Sequence, residues 1–270
     1  MFQERNDDWL QGVLPAEAPL VGVGLGGICE GWLPNVLLYM QAGVLPLKRV
    51  ILVDGKKFSA HNHGRQNFRN EANKAEERKV MWGAMYPTLP IYAVGQFVDE
   101  HNIAQFIPEG TVVLLSPDNH PTRALFARHV STLNNALLIC GGNDGINKEG
   151  GEDGTQGWAA IYCRRAGMNV TAPLTTYHPE IAEASEKMPS VMSCMELAQA
   201  GQPQLLATNL HVGQIMAYLL HRYLTMPLGQ ALEVVEQRCN IATGEVVRFG
   251  IRERFADTVF CLGHEKGEPS

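Results

Sequence analysis

A glycine-rich turn between an apolar run and a helical stretch constrains this chain more than any other feature. Residues 21–27 read VGVGLGG, and a helical pattern follows from about residue 29 to 41. A second apolar run, residues 49–53, ends at Asp54. Strand, glycine turn, helix, strand and acid in this order predict a nucleotide-binding βαβ unit.

The glycines and the acid have separate tasks in such a unit. Glycine lets backbone N–H groups come close to phosphate oxygens, because no Cβ stands in the way. The helix N-terminus adds unpaired N–H donors and a partial positive charge. Asp54 is placed to accept hydrogen bonds from ribose hydroxyls. We therefore predict that Gly24, Gly26, Gly27 and Asp54 bind nucleotide, the alternative being a glycine turn that serves packing only.

A polar stretch at residues 62–66, NHGRQ, follows Asp54 at a short distance. With it the sequence resembles the ThiF/MoeB/ubiquitin-activating-enzyme superfamily, which combines a glycine loop, a helix, an Ala-Gly-Val turn (residues 42–44 here), a strand-end aspartate and Asn-x-x-Arg-Gln. The resemblance implies that Asn62, Arg65 and Gln66 contact the nucleotide. It also implies that Arg65 stabilises charge on the phosphates.

Two positions depart from the family's pattern. Cys29 stands at the last glycine of the family's loop, so we expect the following helix to sit slightly differently. Lys56 replaces the second acid of the family's Asp-x-Asp pair. Only Asp54 of that pair therefore carries over to this chain.

A second chemical stretch follows the β-branched and leucine run at residues 111–116, which is typical of a buried parallel strand. Asp118, Asn119 and Arg123 resemble the family's Asp-Asn-x-x-x-Arg motif. The resemblance implies that Asp118 binds Mg²⁺ at the phosphates of ATP. One carboxylate plus phosphate oxygens suffices, because Mg²⁺ keeps several waters. On the residues alone, an Asx turn that caps the next helix is the alternative.

The resemblance also implies a lysine that faces the phosphates from the helix after residue 66. Spacing counted back from Pro87 selects Lys74, whereas spacing counted forward from Gln66 selects Lys79. We predict Lys74, because a helix register is firmer than a loop length. The other lysine would lie on a solvated helix face.

The six cysteines are scattered, with no Cys-x-x-Cys pair, which predicts free thiols and no structural zinc site of the kind that relatives carry. Cys194 precedes a long helix that starts near residue 205. The resemblance implies that Cys194 could form a thioester, whereas a buried structural thiol is the alternative. His178 and Lys187 lie on the same connection and are candidates to activate the thiol. The other five cysteines are predicted to be structural.

The whole chain, residues 1–270, is predicted to form one adenylation domain. Its fold class would be α/β, a Rossmann-like and mostly parallel sheet with helices on both faces that ends in antiparallel strands. Residues 141–157 are rich in Gly, Asn, Asp and Glu, which predicts a flexible loop. A disordered tail is predicted at residues 263–270.

Composition excludes some classes of partner. A net charge of −6 argues against nucleic acid. The apolar stretch at residues 205–224 carries Asn209, His211 and Arg222, which favours a buried helix over a membrane span. The polar first residues lack the pattern of a secretory signal, so a cytoplasmic protein is expected.

Taken together, the resemblance implies ATP-dependent adenylation of the C-terminal carboxylate of a ubiquitin-like or sulfur-carrier protein that ends in Gly-Gly. It further implies a homodimer, and a conjugating enzyme if a thioester forms on Cys194. One alternative is an NAD-dependent oxidoreductase, since residues 22–27 match the dinucleotide fingerprint. Another is a non-catalytic partner subunit of the same fold. Asp118 and the stretch at residues 62–66 have no task in hydride transfer, which favours adenylation.

Overall fold

The computed structural model describes residues 18–58, 66, 72–147, 151–185, 187–193, 196 and 203–254. Asn62, Arg65 and Cys194 lie outside the described residues, as does the tail at residues 263–270. The predictions made for these residues therefore stay predictions.

A mixed sheet forms the centre of the described chain. Its strands are β1 (Pro19–Val23), β2 (Arg49–Val53), β3 (Ile91–Val94), β4 (Val112–Leu115), β5 (Ala136–Asn143), β8 (Gln156–Arg165), β9 (Met168–Asn169), β10 (Glu236–Asn240) and β11 (Glu245–Phe249). A separate hairpin joins β6 (Ile146–Asn147) to β7 (Glu152–Asp153). The sheet order is β11-β10-β8-β5-β4-β1-β2-β3, and β9 pairs with β8.

Helices cover both faces of this sheet. They are α1 (Cys29–Gln41), α2 (Lys74–Met85), α3 (Ile103–Phe106), α4 (His120–Thr132), α5 (Leu174–Tyr177), α6 (Leu206–Thr225), α7 (Leu228–Ala231) and α8 (Ile251–Arg254). Short 3₁₀ turns lie at Pro179–Ile181 and Pro189–Val191. Among the described residues, no helix combines the length and the apolar character needed to cross a bilayer.

The five strands β3-β2-β1-β4-β5 are parallel, and the pairs on the far side of β5 are antiparallel. Every residue of β1 and β4 is buried, as expected for parallel strands that are covered on both faces. The predicted α/β, Rossmann-like fold class is confirmed. The long predicted helix near residues 205–223 is also confirmed as α6.

The segment at residues 141–157 is more regular than its composition suggests. Its ends belong to β5 and β8, which pair from Asn143 and Gly157 onward. Gly141 and Gly157 serve packing, because a Cβ at either position would collide with side chains of α6. Small residues thus let a helix approach the sheet here. The mobility of the intervening residues stays a prediction.

Two glycines also let α1 and α6 cross closely. A Cβ on Gly213 would overlap the carbonyl oxygen of Ile28 and lie 2.6 Å from Cα of Gly31. The obstacles are backbone atoms of the neighbouring helix, which a rotamer change cannot move away. The position of α1 relative to the sheet therefore depends on these two residues.

We expect Gly213→Ala to destabilise the protein by about 1–3 kcal/mol, the usual cost of overpacking. Gly83→Ala is the matched control, because Gly83 lies in α2 and its added Cβ would meet no atom of a described residue within 4 Å. That control should gain about 0.5–1 kcal/mol from better helix propensity. Urea unfolding measures both changes, and equal stability of the two variants would contradict the close crossing.

Candidate nucleotide site

Three loops meet at the carboxyl edge of the parallel strands. They follow β1, β2 and β4, and β1 lies between the other two. Val23 pairs in register with Val53 of β2 and with Leu115 of β4, so the loops leave the sheet at the same level. In the sheet, β2 and β3 lie on one side of β1, whereas β4 and β5 lie on the other side of β1. Such a reversal of strand order is where open α/β sheets bind ligands.

Gly24 fits tightly between two strand ends. Its φ is +78°, and a Cβ there would lie 2.6 Å from the backbone of Ser116 and Pro117. The Ser116 hydroxyl donates a hydrogen bond to the Gly24 carbonyl at 2.8 Å, and the Gly24 N–H donates to Val53 O at 3.2 Å. Only glycine satisfies both the φ and the space.

The other two loop glycines have different surroundings. Among the described residues, a Cβ on Gly26 would meet the Gln66 amide at 3.6 Å, which is ordinary contact. A Cβ on Gly27 would collide with the side chain of Asn209, which is fully buried on α6. Gly27 therefore serves helix packing, whereas no described residue packs tightly against Gly26. The sequence alone did not associate Asn209 with this loop, because its helix is distant along the chain.

Asp54 joins the first two loops. One carboxylate oxygen accepts a hydrogen bond from the Leu25 N–H at 2.8 Å, and the other accepts from the Lys56 N–H at 2.7 Å. An ionised carboxylate has about four lone-pair sites, so both oxygens keep acceptor capacity for a ribose. Asp54 is thus a structural residue of the glycine loop as well as a predicted ligand group.

Asp118 already has a cationic partner. The Lys56 ammonium lies 2.6 Å from its Oδ2, with the two side chains 25% and 45% exposed. Desolvation raises the pKa of Asp118, but the charge and hydrogen bond of Lys56 outweigh it, so the pKa lies below the usual value. Asn119, rather than Asp118, caps α4, because its side chain accepts from the Thr122 N–H at 2.9 Å.

The donor set around Asp118 does not fit a resident Mg²⁺. Mg²⁺ requires oxygen ligands, and position 56 supplies an ammonium where the family supplies a second carboxylate. Within the part of the chain that the structure describes, no three His, Cys, Asp or Glu side chains cluster to hold a metal. For Oδ2 of Asp118 to bind Mg²⁺, the Lys56 ammonium would have to leave that oxygen.

The two candidate lysines of α2 lie in different environments. Lys74 is the first residue of α2 and is 5% exposed, whereas Lys79 is exposed. The Lys74 N–H donates to the Lys56 carbonyl at 3.1 Å, so Lys74 lies near the strand ends. The positive charge of Lys74 also contributes to the lowered pKa of Asp118. Asn73 caps the helix and donates to the Asp54 carbonyl at 2.8 Å. The choice of Lys74 for the phosphates stays a prediction.

Two arginines that support the site were not assigned roles from the sequence. Arg78, almost completely buried on α2, donates to both carboxylate oxygens of Glu30 in the first turn of α1. Arg123 donates to the carbonyls of Pro117 at 3.0 Å and Gly141 at 3.3 Å, which joins the ends of β4 and β5. Arg123 belongs to the Asp-Asn-x-x-x-Arg motif, so its position was signalled. Arg78 belongs to none of the sequence motifs identified above.

His178 and Lys187, the candidate activators of Cys194, are both engaged by carboxylates. His178 stacks on Trp158 with ring centroids 3.6 Å apart, and its Nδ1 lies 2.9 Å from Glu180. Lys187 pairs with Glu196 at 2.7 Å. Because Cys194 is not described, its activation stays a prediction.

The four described cysteines are buried free thiols, namely Cys29, Cys140, Cys163 and Cys239. Burial raises the pKa of Cys29 and Cys163 to about 12 and that of Cys140 to about 11. Thiols with such pKa values are protonated at neutral pH and poor nucleophiles. Their burial agrees with the predicted structural role.

No family model matches this sequence, and no curated protein matches it. Solved structures do match. The chain superposes on E. coli MccB in complex with AMPCPP and selenomethionine MccA with a TM-score of 0.62 and 15% identity, covering 91% of this chain and 67% of that one. The chain has the fold of MccB.

Further structures agree with this likeness. The succinimide complex of E. coli MccB gives a TM-score of 0.61 at 13% identity, over 87% of this chain and 64% of MccB. Selenomethionine PaaA gives 0.57 at 12% identity, over 87% and 64% of the two chains. The chain therefore spans somewhat under two thirds of the length of these proteins. At this identity the likeness shows the fold alone.

Proposed function

We propose that this chain activates a carboxylate with ATP. A carboxylate oxygen attacks the α-phosphorus, the bond to the bridging oxygen breaks, and pyrophosphate leaves an acyl-adenylate behind. The observation that carries the proposal is the convergence of Gly24, Asp54, Lys74 and Asp118 at one strand-order reversal. The fold is also that of MccB, which has been crystallised with ATP and with AMPCPP.

The charge of each group determines its role toward the nucleotide in this proposal. Backbone N–H groups of the glycine loop and of the first turn of α1 would face the phosphates. Lys74 would stabilise the negative charge that gathers on phosphate oxygens, and Asp54 would accept from the ribose. Oxyanion contacts of this kind are typically worth about 3–4 kcal/mol each in the transition state. Asn62, Arg65 and Gln66 keep the nucleotide contacts that the resemblance implies, and Asp118 as a magnesium ligand stays an untested prediction.

The carboxylate would belong to the C-terminus of a peptide or small protein. MccA, the partner crystallised with MccB, occurs with selenomethionine, with an isoasparagine and with an N-formyl group, so it is a chain of amino acids. A ubiquitin-like or sulfur-carrier protein ending in Gly-Gly is the partner that the sequence resemblance favours. Mixing the protein with such a carrier and ATP should release pyrophosphate.

Two further parts of the hypothesis come from the resemblance. Transfer of the acyl group to Cys194, with a conjugating enzyme downstream, predicts a reducible adduct that Cys194→Ala loses. A homodimer is supported by exposed Leu38 and Tyr39 on α1 and Tyr218 on α6. Light scattering at micromolar concentration measures that state, and a monomer of 29.7 kDa would contradict it.

Calorimetry with ATP and with NAD tests the nucleotide preference. We expect ATP to bind at least about tenfold more tightly, a difference of about 1.4 kcal/mol, because Lys56 and Lys74 favour a longer phosphate chain. Tighter binding of NAD would instead favour the oxidoreductase alternative. Failure of ATP to bind under any condition would remove the proposed activity.

The two lysines of α2 provide a matched pair of variants. Lys74→Met should weaken ATP binding by about 10- to 100-fold, since a hydrogen bond to a charged group contributes about 1.5–3 kcal/mol. Lys79→Met removes the same charge from an exposed position of the same helix and should change the affinity less than about twofold. Circular dichroism checks that both variants fold. Equal affinities would reject the choice of Lys74.

A further inference from the structure

The backbone at Lys56 is held from both sides. Its N–H donates to the Asp54 carboxylate at 2.7 Å, and its carbonyl accepts from the Lys74 N–H at 3.1 Å. Gly55 lies against the ring of Phe97, where any Cβ would collide with that ring. The Lys56 side chain therefore starts from a defined point at the end of β2.

From that point the side chain reaches across the end of β1. Lys56 follows β2 and Asp118 follows β4, and β1 lies between these two strands. Their contact, at 2.6 Å, therefore spans the place where the glycine loop leaves the sheet. An ammonium has three N–H donors, so a lysine that gives one to Asp118 keeps two for other acceptors. Phosphate oxygens at the glycine loop are the acceptors that the proposed function brings there.

The local charge also argues for a lysine in place of a metal. The charges of Asp54, Lys56, Lys74 and Asp118 cancel, whereas an acid at position 56 would leave two net negative charges. A divalent cation gains its binding energy from such excess negative charge and from oxygen ligands. Among the described residues of the site this excess is absent, and Oδ2 of Asp118 already accepts from an ammonium. The site is built to receive an anion directly.

We propose that the ammonium of Lys56, anchored by Asp118, takes the place of a protein-bound divalent cation, so that this chain binds the phosphates of ATP without depending on Mg²⁺. The inference rests on the proposed function, since it concerns the same nucleotide. It assigns Lys56 as a phosphate-binding residue and Asp118 as the residue that positions it. Both side chains are partly exposed, so ATP can reach the pair without unfolding of the site.

Calorimetry of ATP binding, with excess MgCl₂ or with EDTA, tests this inference. For the wild type we expect dissociation constants within about threefold of each other in the two buffers, a difference of about 0.6 kcal/mol. Lys56→Asp restores the family's second acid. Its ATP affinity should fall at least about tenfold when EDTA replaces Mg²⁺. Lys56→Arg keeps the cation and should behave as the wild type does.

Lys57→Met is the matched control. Lys57 is the next residue, and its side chain is exposed. This variant should keep the wild-type response to EDTA, whereas Lys56→Met should lose at least about tenfold of its ATP affinity in EDTA. Titration with Mn²⁺ alone, followed by electron paramagnetic resonance, gives a second readout. Lys56→Asp should bind Mn²⁺ at least about tenfold more tightly than the wild type.

Three results would overturn the inference. One is wild-type ATP binding that weakens at least about tenfold in EDTA. Another is a Lys56→Met variant that behaves as Lys57→Met does. The third is equal Mn²⁺ affinity in the wild type and in Lys56→Asp. If the wild type binds ATP in MgCl₂ but not in EDTA, the role of Lys56 in place of a metal is rejected and the proposed function stands. If it binds ATP in neither buffer, the proposed function itself is rejected.

Discussion

The carboxylate of Asp54 is the contact on which the nucleotide site depends. Its oxygens accept from two backbone N–H groups, at Leu25 and Lys56, that belong to different loops. Removing the acceptor would leave partly buried donors unpaired, which costs about 1–3 kcal/mol for each group. Asn73 extends this link, because its amide donates to the Asp54 carbonyl and its side-chain oxygen caps α2. Glycine loop, acid turn and the N-terminus of α2 are therefore one hydrogen-bonded unit.

Helix packing keeps this unit against the sheet. Gly31 and Gly213 bring the backbones of α1 and α6 together, and Gly27 makes room for Asn209 of α6. Arg78 of α2 also forms an ion pair with Glu30 in the first turn of α1. A buried arginine that meets both carboxylate oxygens gains geometric specificity as well as energy. The direction of α1, and with it the direction of its N-terminal N–H groups, is thus set by helices distant along the chain.

The charges at the strand ends distinguish this site from the pattern that its sequence resembles. A lysine next to Asp118 removes the net negative charge that would attract a divalent cation, and it adds donors where phosphates would lie. The fold and the glycine loop are compatible with several nucleotides and chemistries. Under the proposed function, a few side chains at the sheet edge, Lys56 above all, would decide how phosphate charge is neutralised.

The sequence by itself determined the parallel βαβ core, the strand ends that carry Asp54 and Asp118, and the long helix α6, because these follow from local apolar period and turn chemistry. Helix register also selected Lys74 over Lys79 as the predicted phosphate-binding lysine. Only the tertiary structure decided that Lys56 pairs with Asp118 and that Arg78 pairs with Glu30, since these partners are separated by 62 and 48 residues. It likewise decided that Gly141 and Gly157 belong to strands. Their small size is required by the helix packed against them, whereas composition alone predicts a loop at these glycines.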